Sequence, residues 1–117
     1  MGSHPENIDI CLDTFPLTGG TTTCESLWMG VPVISLMGDA LFERLSYSVL
    51  VNAGAADLVV QTVPEYEAAA VALAADPQRR RDLRQDLRAK IKASPLGDPR
   101  AFAHDFYALI ATAVRPA

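Results

Sequence analysis

Two glycines and three threonines, Gly19-Gly20-Thr21-Thr22-Thr23, stand between an apolar stretch ending at Leu12 and a run with helical spacing, Cys24 to Met29. Residues of these types in this order are suited to holding phosphate. Glycine has no Cβ, so the backbone can approach a ligand closely and take φ values that other residues avoid. The first turn of a helix carries N–H groups without an intrahelical acceptor, at the positive end of the helix dipole. Phosphate is a common occupant of such a place. The corner formed by Gly19, Gly20, Thr21 and Thr22 is therefore expected to bind a diphosphate, with amides and hydroxyls as the donors. Glu25 follows Thr22 by three residues, the spacing at which its carboxylate reaches back to an N-cap amide.

Other polar residues carry less. Asp9 and Asp13 are four apart on an expected strand, about 13 Å by the usual rise, too wide for a carboxylate pair doing acid–base work at one bond. Asp13, at a strand end, is expected to fix the following loop. His104 has no histidine or cysteine at metal-ligand spacing, and no metal or cofactor is expected. Arg79-Arg80-Arg81 alternates with Asp76, Asp82 and Asp86 and is read as a solvated helix face. Arg44 is placed to reach either a phosphate or the neighbouring carboxylates Glu43 and Asp39. Trp28, following Leu27, is read as core packing.

The elements that position the corner follow from periodicity. Ile8, Ile10 and Leu12 alternate with polar partners, which suits a strand ending at Asp13. Thr22 with Glu25 suggests a capping box opening a helix that Gly30 and Pro32 close. Val31 to Leu36 is a continuous apolar run, typical of a parallel strand covered on both faces. Asp39 is expected to cap a helix bearing Leu41, Phe42, Leu45, Val49 and Leu50, closed by Gly54. A short strand, Asp57 to Val60, comes next. Thr62 with Glu65 opens an alanine-rich helix to about Ala75, and Asp76-Pro77 and Asp98-Pro99 each open another. The last helix bears Phe102, Phe106, Leu109 and Ile110. The order β-α-β-α-β followed by three helices predicts an α/β fold with a short parallel sheet of about three strands and flanking helices. A doubly wound domain usually has five or six strands, so the sheet is expected to leave an unpaired apolar edge, and the chain reads as the C-terminal part of something larger.

Composition sets the outer limits. At 117 residues, half of them hydrophobic, the chain is expected to form one domain with its own core. The net charge of −4 provides no basic field for nucleic acid or an anionic membrane surface. Cys11 and Cys24 form neither a CxxC pair nor a disulfide framework and are read as reduced, buried residues of a cytoplasmic protein. No apolar run reaches the ~18 residues that span a bilayer. Met1-Gly2-Ser3-His4 has the look of an expression-vector remnant, leaving 5–117 as the single α/β domain.

The ordered set Ile8-Asp9-Ile10-Cys11-Leu12-Asp13-Thr14, then Gly19 through Val33, resembles the O-GlcNAc transferase and SPINDLY family of nucleotide-sugar glycosyltransferases. The likeness runs on through Phe42 to Ser48, Asn52-Ala53-Gly54, Asp57-Leu58-Val59, Glu65-Tyr66, Ala93 to Leu96 and Phe102 to Phe106. It implies the C-terminal half of a GT-B fold built of two Rossmann-like units, usually preceded by tetratricopeptide repeats. It also implies that the corner at Gly20-Thr21-Thr22 holds the donor's diphosphate and that Glu25 approaches the ribose hydroxyls. Gly20 stands where animal members carry histidine, which favours the bacterial branch. Met37-Gly38 replaces a frequent Pro-Gly, and Glu43 replaces a frequent small residue, both near the donor-site rim. The general base, most contacts to the nucleotide base and the acceptor groove belong, in the family, upstream of Asp9.

Two functional readings follow. In the first, the parent protein transfers a sugar from a nucleoside diphosphate to Ser/Thr hydroxyls of a protein bound by the upstream region, with UDP-GlcNAc as donor and GDP-fucose as the alternative. The 117-residue polypeptide alone is then expected not to turn over. In the second, it is a non-catalytic module that binds nucleotide weakly or forms a homodimer through its exposed sheet edge.

Overall fold

The computed structural model describes residues 8–115; residues 1–4, read above as a vector remnant, lie outside them. The elements are β1 (Cys11–Leu12), α1 (Thr21–Trp28), β2 (Val33–Leu36), a 3₁₀ turn (Leu41–Glu43), α2 (Leu45–Asn52), a second 3₁₀ turn (Ala56–Leu58), β3 (Val59–Val60), α3 (Val63–Ala74), α4 (Pro77–Lys92), a third 3₁₀ turn (Pro95–Gly97) and α5 (Pro99–Ala113). The expected α/β fold is present. Its three strands form one sheet in the order β1-β2-β3, parallel throughout, with Cys11 opposite Val33 and Ser35 opposite Val59.

β2 is the central strand. Val33, Ile34 and Ser35 are buried, as the unbroken apolar run requires of a strand covered on both faces. Leu27 of α1, Leu50 of α2, Leu58, Leu73 of α3, and Leu87 and Ile91 of α4 close the core around it. The strands are shorter than their sequence patterns. Pro32 has no N–H to give a ladder, and the Val31 amide closes α1 on the Ser26 carbonyl, so β2 starts at Val33. Before β3, the Leu58 amide turns back to the Ala55 carbonyl, which converts Asp57-Leu58 from strand to 3₁₀ turn.

Helix boundaries set by local chemistry follow expectation. Thr62 accepts from the Glu65 amide while the Glu65 carboxylate accepts from the Thr62 and Gln61 amides. Asp76 caps α4 at the Arg79 amide and Asp98 caps α5 at the Ala101 amide. Gly30, at φ 79°, ends α1; a Cβ there would lie 2.6 Å from the Arg84 carbonyl oxygen, so this glycine also seats α4.

Elsewhere the structure corrects the expectation. Thr22 is not an N-cap: α1 starts at Thr21, two residues earlier than that cap would place it, Gly20 is the cap, and no side chain caps the helix. Asp39 does not cap a helix. The Phe42 carbonyl accepts both the amide and the hydroxyl of Thr18, the chain takes a 3₁₀ turn, and α2 begins only at Leu45. Leu41, Phe42 and Leu45 are consequently exposed instead of forming a buried stripe. Trp28 is not core: it lies on the surface under Arg88 (4.9 Å to the ring centroid) and Lys92 (5.5 Å). The arginine run is not simply a solvated face either. Arg79 pairs with Asp57 at 2.7 Å, and Arg80 donates to the Leu73 and Ala74 carbonyls at the end of α3. Arg84 and Arg88 do the same for the Met29 and Trp28 carbonyls at the end of α1. Cys11 and Cys24 are free and only half-buried; partial desolvation, the largest cause, raises both thiols above their ordinary pKa. α5 buries none of its side chains among the described residues; Phe102 stacks on Phe106 at 5.8 Å, exposed.

Candidate diphosphate corner

The loop from Asp13 to Gly20 leaves the carboxyl end of β1, where ligands sit in open α/β sheets. Asp13 is buried and holds the loop from behind. Its Oδ1 accepts the Gly19 amide at 3.0 Å, its Oδ2 accepts the Ser35 hydroxyl at 2.7 Å, and its backbone carbonyl accepts the Tyr66 hydroxyl at 2.8 Å. The loop-fixing role expected of Asp13 is the one it has. Burial, and then the Asp13 and Cys11 charges, raise the Tyr66 phenol above its ordinary value, which keeps it a donor.

Gly19 has to be glycine on steric grounds. A Cβ would stand 2.7 Å from the Thr23 hydroxyl, 2.9 Å from the Thr22 hydroxyl and 3.2 Å from the Asp13 carboxylate. Gly20 is the opposite case, with nothing within 4 Å of where its Cβ would be. Open space therefore faces the backbone at Gly20.

Helix α1 presents its first turn to that space. The amides of Gly20, Thr21, Thr22 and Thr23 have no hydrogen-bond acceptor among the described residues, and the ladder begins with Cys24 N–H to the Gly20 carbonyl. α3, α4 and α5 each have a side-chain cap; α1 and α2 have none. Thr21 and Thr22 are exposed, and neither hydroxyl is bonded within the described residues. Thr23 is different: it is buried and its hydroxyl meets Ser46 Oγ at 2.8 Å. Glu25 is exposed one turn beyond Thr21, and without Thr22 as N-cap the capping-box use of its carboxylate falls away. All five residues singled out from the sequence, Gly19, Gly20, Thr21, Thr22 and Glu25, are thus gathered on one loop and the first two turns of α1.

Arg44 reaches neither Glu43 nor Asp39. It donates to the Gly38 carbonyl at 2.9 Å and lies over the Tyr47 ring at 4.8 Å. Glu43 accepts the Ala40 amide at 2.8 Å, and its carboxylate fills the place where a Cβ at Gly38 would go. Two hollows flank the corner. One of 420 Å³ opens along α1 between Cys24, Glu25, Trp28, Val49, Ile91 and Leu96. The other, of 170 Å³, lies beyond β2 and β3, lined by Phe15, Met37, Gly38, Glu43, Gln61 and Val63. Among the described residues no group of three or more His, Cys, Asp or Glu is placed to hold a metal ion. His104, 3.2 Å from Asp105, is exposed on α5.

Sequence reasoning missed Thr18, Ser35 and Ser46, which tie this loop to β2 and α2. Only Thr18 had a local signal, its place directly before the glycine pair; Ser35 and Ser46 are 22 and 27 residues from their partners Asp13 and Gly19.

Residues 5–106 match the model of glycosyl transferase family 41. The chain belongs to that family. Among its family 41 relatives, a protein of Hordeum vulgare named "Probable UDP-N-acetylglucosamine--peptide N-acetylglucosaminyltransferase SPINDLY" is 42% identical over 95 residues, 81% of this chain and 10% of that one. A UDP-N-acetylglucosamine--peptide N-acetylglucosaminyltransferase of Caenorhabditis elegans is 32% identical over 102 residues, 87% of this chain and 9% of that one. The solved K341M mutant of the Thermobaculum terrenum O-GlcNAc transferase superposes with a TM-score of 0.76 at 40% identity, covering 86% of this chain and 20% of its own. The chain spans about a tenth of the length of these curated relatives.

Proposed function

We propose that the corner from Gly19 to Glu25 binds the diphosphate and ribose of a nucleoside-diphosphate sugar, in a glycosyltransferase that moves the sugar to Ser/Thr hydroxyls of a protein. UDP-GlcNAc is the donor this reading takes, because the family 41 relatives carry it in their names. The observation that supports it most is the uncapped first turn of α1: four adjacent amides and two hydroxyls without partners among the described residues, all at a positive dipole end.

In this reading the amides of Gly20 to Thr22 and the hydroxyls of Thr21 and Thr22 bind the phosphate oxygens. They gain most as charge develops on the leaving diphosphate. Glu25, a turn further on, accepts from the ribose hydroxyls, far enough along the helix for its charge to lie beside the phosphates without facing them. The described residues supply donor binding, and no general base is assigned among them.

The test is an NMR titration of the ¹⁵N-labelled chain with UDP, with GDP and pyrophosphate as comparators. Shifts concentrated at Gly19 to Glu25, larger for UDP than for GDP, are expected. A dispersed spectrum that does not move at millimolar UDP overturns the reading for this chain, and GDP binding more tightly than UDP moves the donor to the GDP-fucose alternative.

A further inference from the structure

Ser46 sits at the start of α2, fully buried, 27 residues from the loop it touches. Its hydroxyl donates to the Gly19 carbonyl at 2.7 Å. With that proton committed, the 2.8 Å contact to Thr23 has a single direction, the Thr23 hydroxyl donating to Ser46 Oγ. The Ser46 amide in turn faces Thr18 Oγ1 at 3.4 Å, and Thr18 donates its own proton to the Phe42 carbonyl. α2 therefore grips the glycine loop on both sides of the Gly19 carbonyl.

The consequence lies in one peptide plane. The Gly19–Gly20 bond is trans, so its C=O and N–H point in opposite directions. A carbonyl held toward α2 by Ser46 turns the Gly20 N–H away from α2, and among the described residues that N–H meets no acceptor. The neighbouring donor, the Gly19 amide, is already committed to Asp13. A glycine pair lets a peptide flip at little steric cost, and among the described residues nothing else holds the Gly19 carbonyl.

We infer that Ser46 is a positioning residue for the nucleoside-diphosphate site: its hydroxyl fixes the Gly19–Gly20 peptide so that the Gly20 amide is preset to receive a phosphate oxygen. The inference rests on the donor-site reading above. Ser46 touches no ligand in this arrangement and acts through the Gly19 carbonyl. The Thr23 hydroxyl, being consumed by Ser46, is excluded from the ligand set, which leaves Thr21 and Thr22 as the contributing threonines.

The experiment uses the ¹⁵N-labelled chain, its Ser46→Ala variant and Ser46→Cys, which nearly keeps the volume while weakening the donor. Residual dipolar couplings give the direction of the Gly20 N–H, and UDP titration gives its affinity. The unsubstituted chain is expected to show an ordered Gly20 N–H directed away from α2. Both variants are expected to bind UDP about tenfold more weakly, with new mobility confined to Gly20, Thr21 and Thr22 while core amides keep their order. A Gly20 N–H directed toward α2 in the unsubstituted chain overturns the inference even where a variant fails to fold. Equal affinity and an unchanged Gly20 vector in Ser46→Ala overturn it as well. Absence of UDP binding in the unsubstituted chain overturns the donor-site reading first, and the positioning role of Ser46 with it.

Discussion

The Asp13 carboxylate accepts the Gly19 amide at 3.0 Å, and its other oxygen takes the Ser35 hydroxyl at 2.7 Å. One side chain at the end of β1 thereby joins the central strand to the glycine loop. The carboxylate is satisfied on both oxygens, so it faces inward and is spent on structure. The loop's outer surface is left to amides and hydroxyls. Replacing Asp13 by alanine strands a buried hydroxyl and a half-buried amide at once. Asp13→Ala is expected to cost about 3 kcal/mol, read as a lowered urea midpoint at unchanged m-value.

The two glycines are expected to separate cleanly. Gly19→Ala pushes a methyl into hydroxyls at 2.7 and 2.9 Å and is expected to destabilise by about 1–3 kcal/mol. Gly20→Ala meets open space, so its effect should appear in UDP titration and much less in thermal unfolding. A larger loss of stability at Gly20 than at Gly19 would contradict this account of the loop.

Thr22→Ala in the full-length parent removes a hydroxyl that has no hydrogen-bond partner among the described residues, so stability is expected to hold. Loss of one charge-assisted contact of ~1.5–3 kcal/mol corresponds to a fall in kcat/KM of more than about tenfold. An unchanged rate rules out the Thr22 contact.

Trp28 is the chain's one tryptophan and reports directly on the clamp at the end of α1. Arg88 donates to the Trp28 carbonyl at 2.8 Å and covers its ring. Arg88→Ala is expected to increase acrylamide quenching of Trp28 and to cost about 0.5–1 kcal/mol, as exposed cation–π contacts do. Quenching that does not change would place Trp28 elsewhere.

Glu65 adds an acid-side pH dependence at the start of α3. Amide bonds from Gln61 and then Thr62 hold its carboxyl below the ordinary carboxylate value. A depressed carboxylate pKa stabilises the fold above the unfolded-state value, and that increment is lost as pH falls through the folded-state value. Acid titration followed by circular dichroism is expected to show Glu65→Gln flattening the stability profile on the acid side of the ordinary carboxylate range and leaving its shape near neutrality unchanged.

How far the sequence reached depended on the distance between partners. The Thr62–Glu65 box, the Asp76 and Asp98 caps and the Gly30 stop were legible because cap and capped group lie within about one turn. The parallel sheet and its buried central strand followed from the Val31 to Leu36 run, since a strand covered on both faces has no polar side to show. The glycine-threonine corner was legible for the same local reason, as a loop and the helix it opens. Tertiary structure alone decided how that corner is held and aimed. Ser35 and Ser46 read as ordinary serines until packing brings them to Asp13 and Gly19, and Arg88 reads as a solvated charge until α4 lies across the end of α1. Periodicity identifies which residues share a face. It carries no information on which buried hydroxyl meets which carbonyl across the core, because that pairing is set by how the elements pack, and there the geometry of this site was determined.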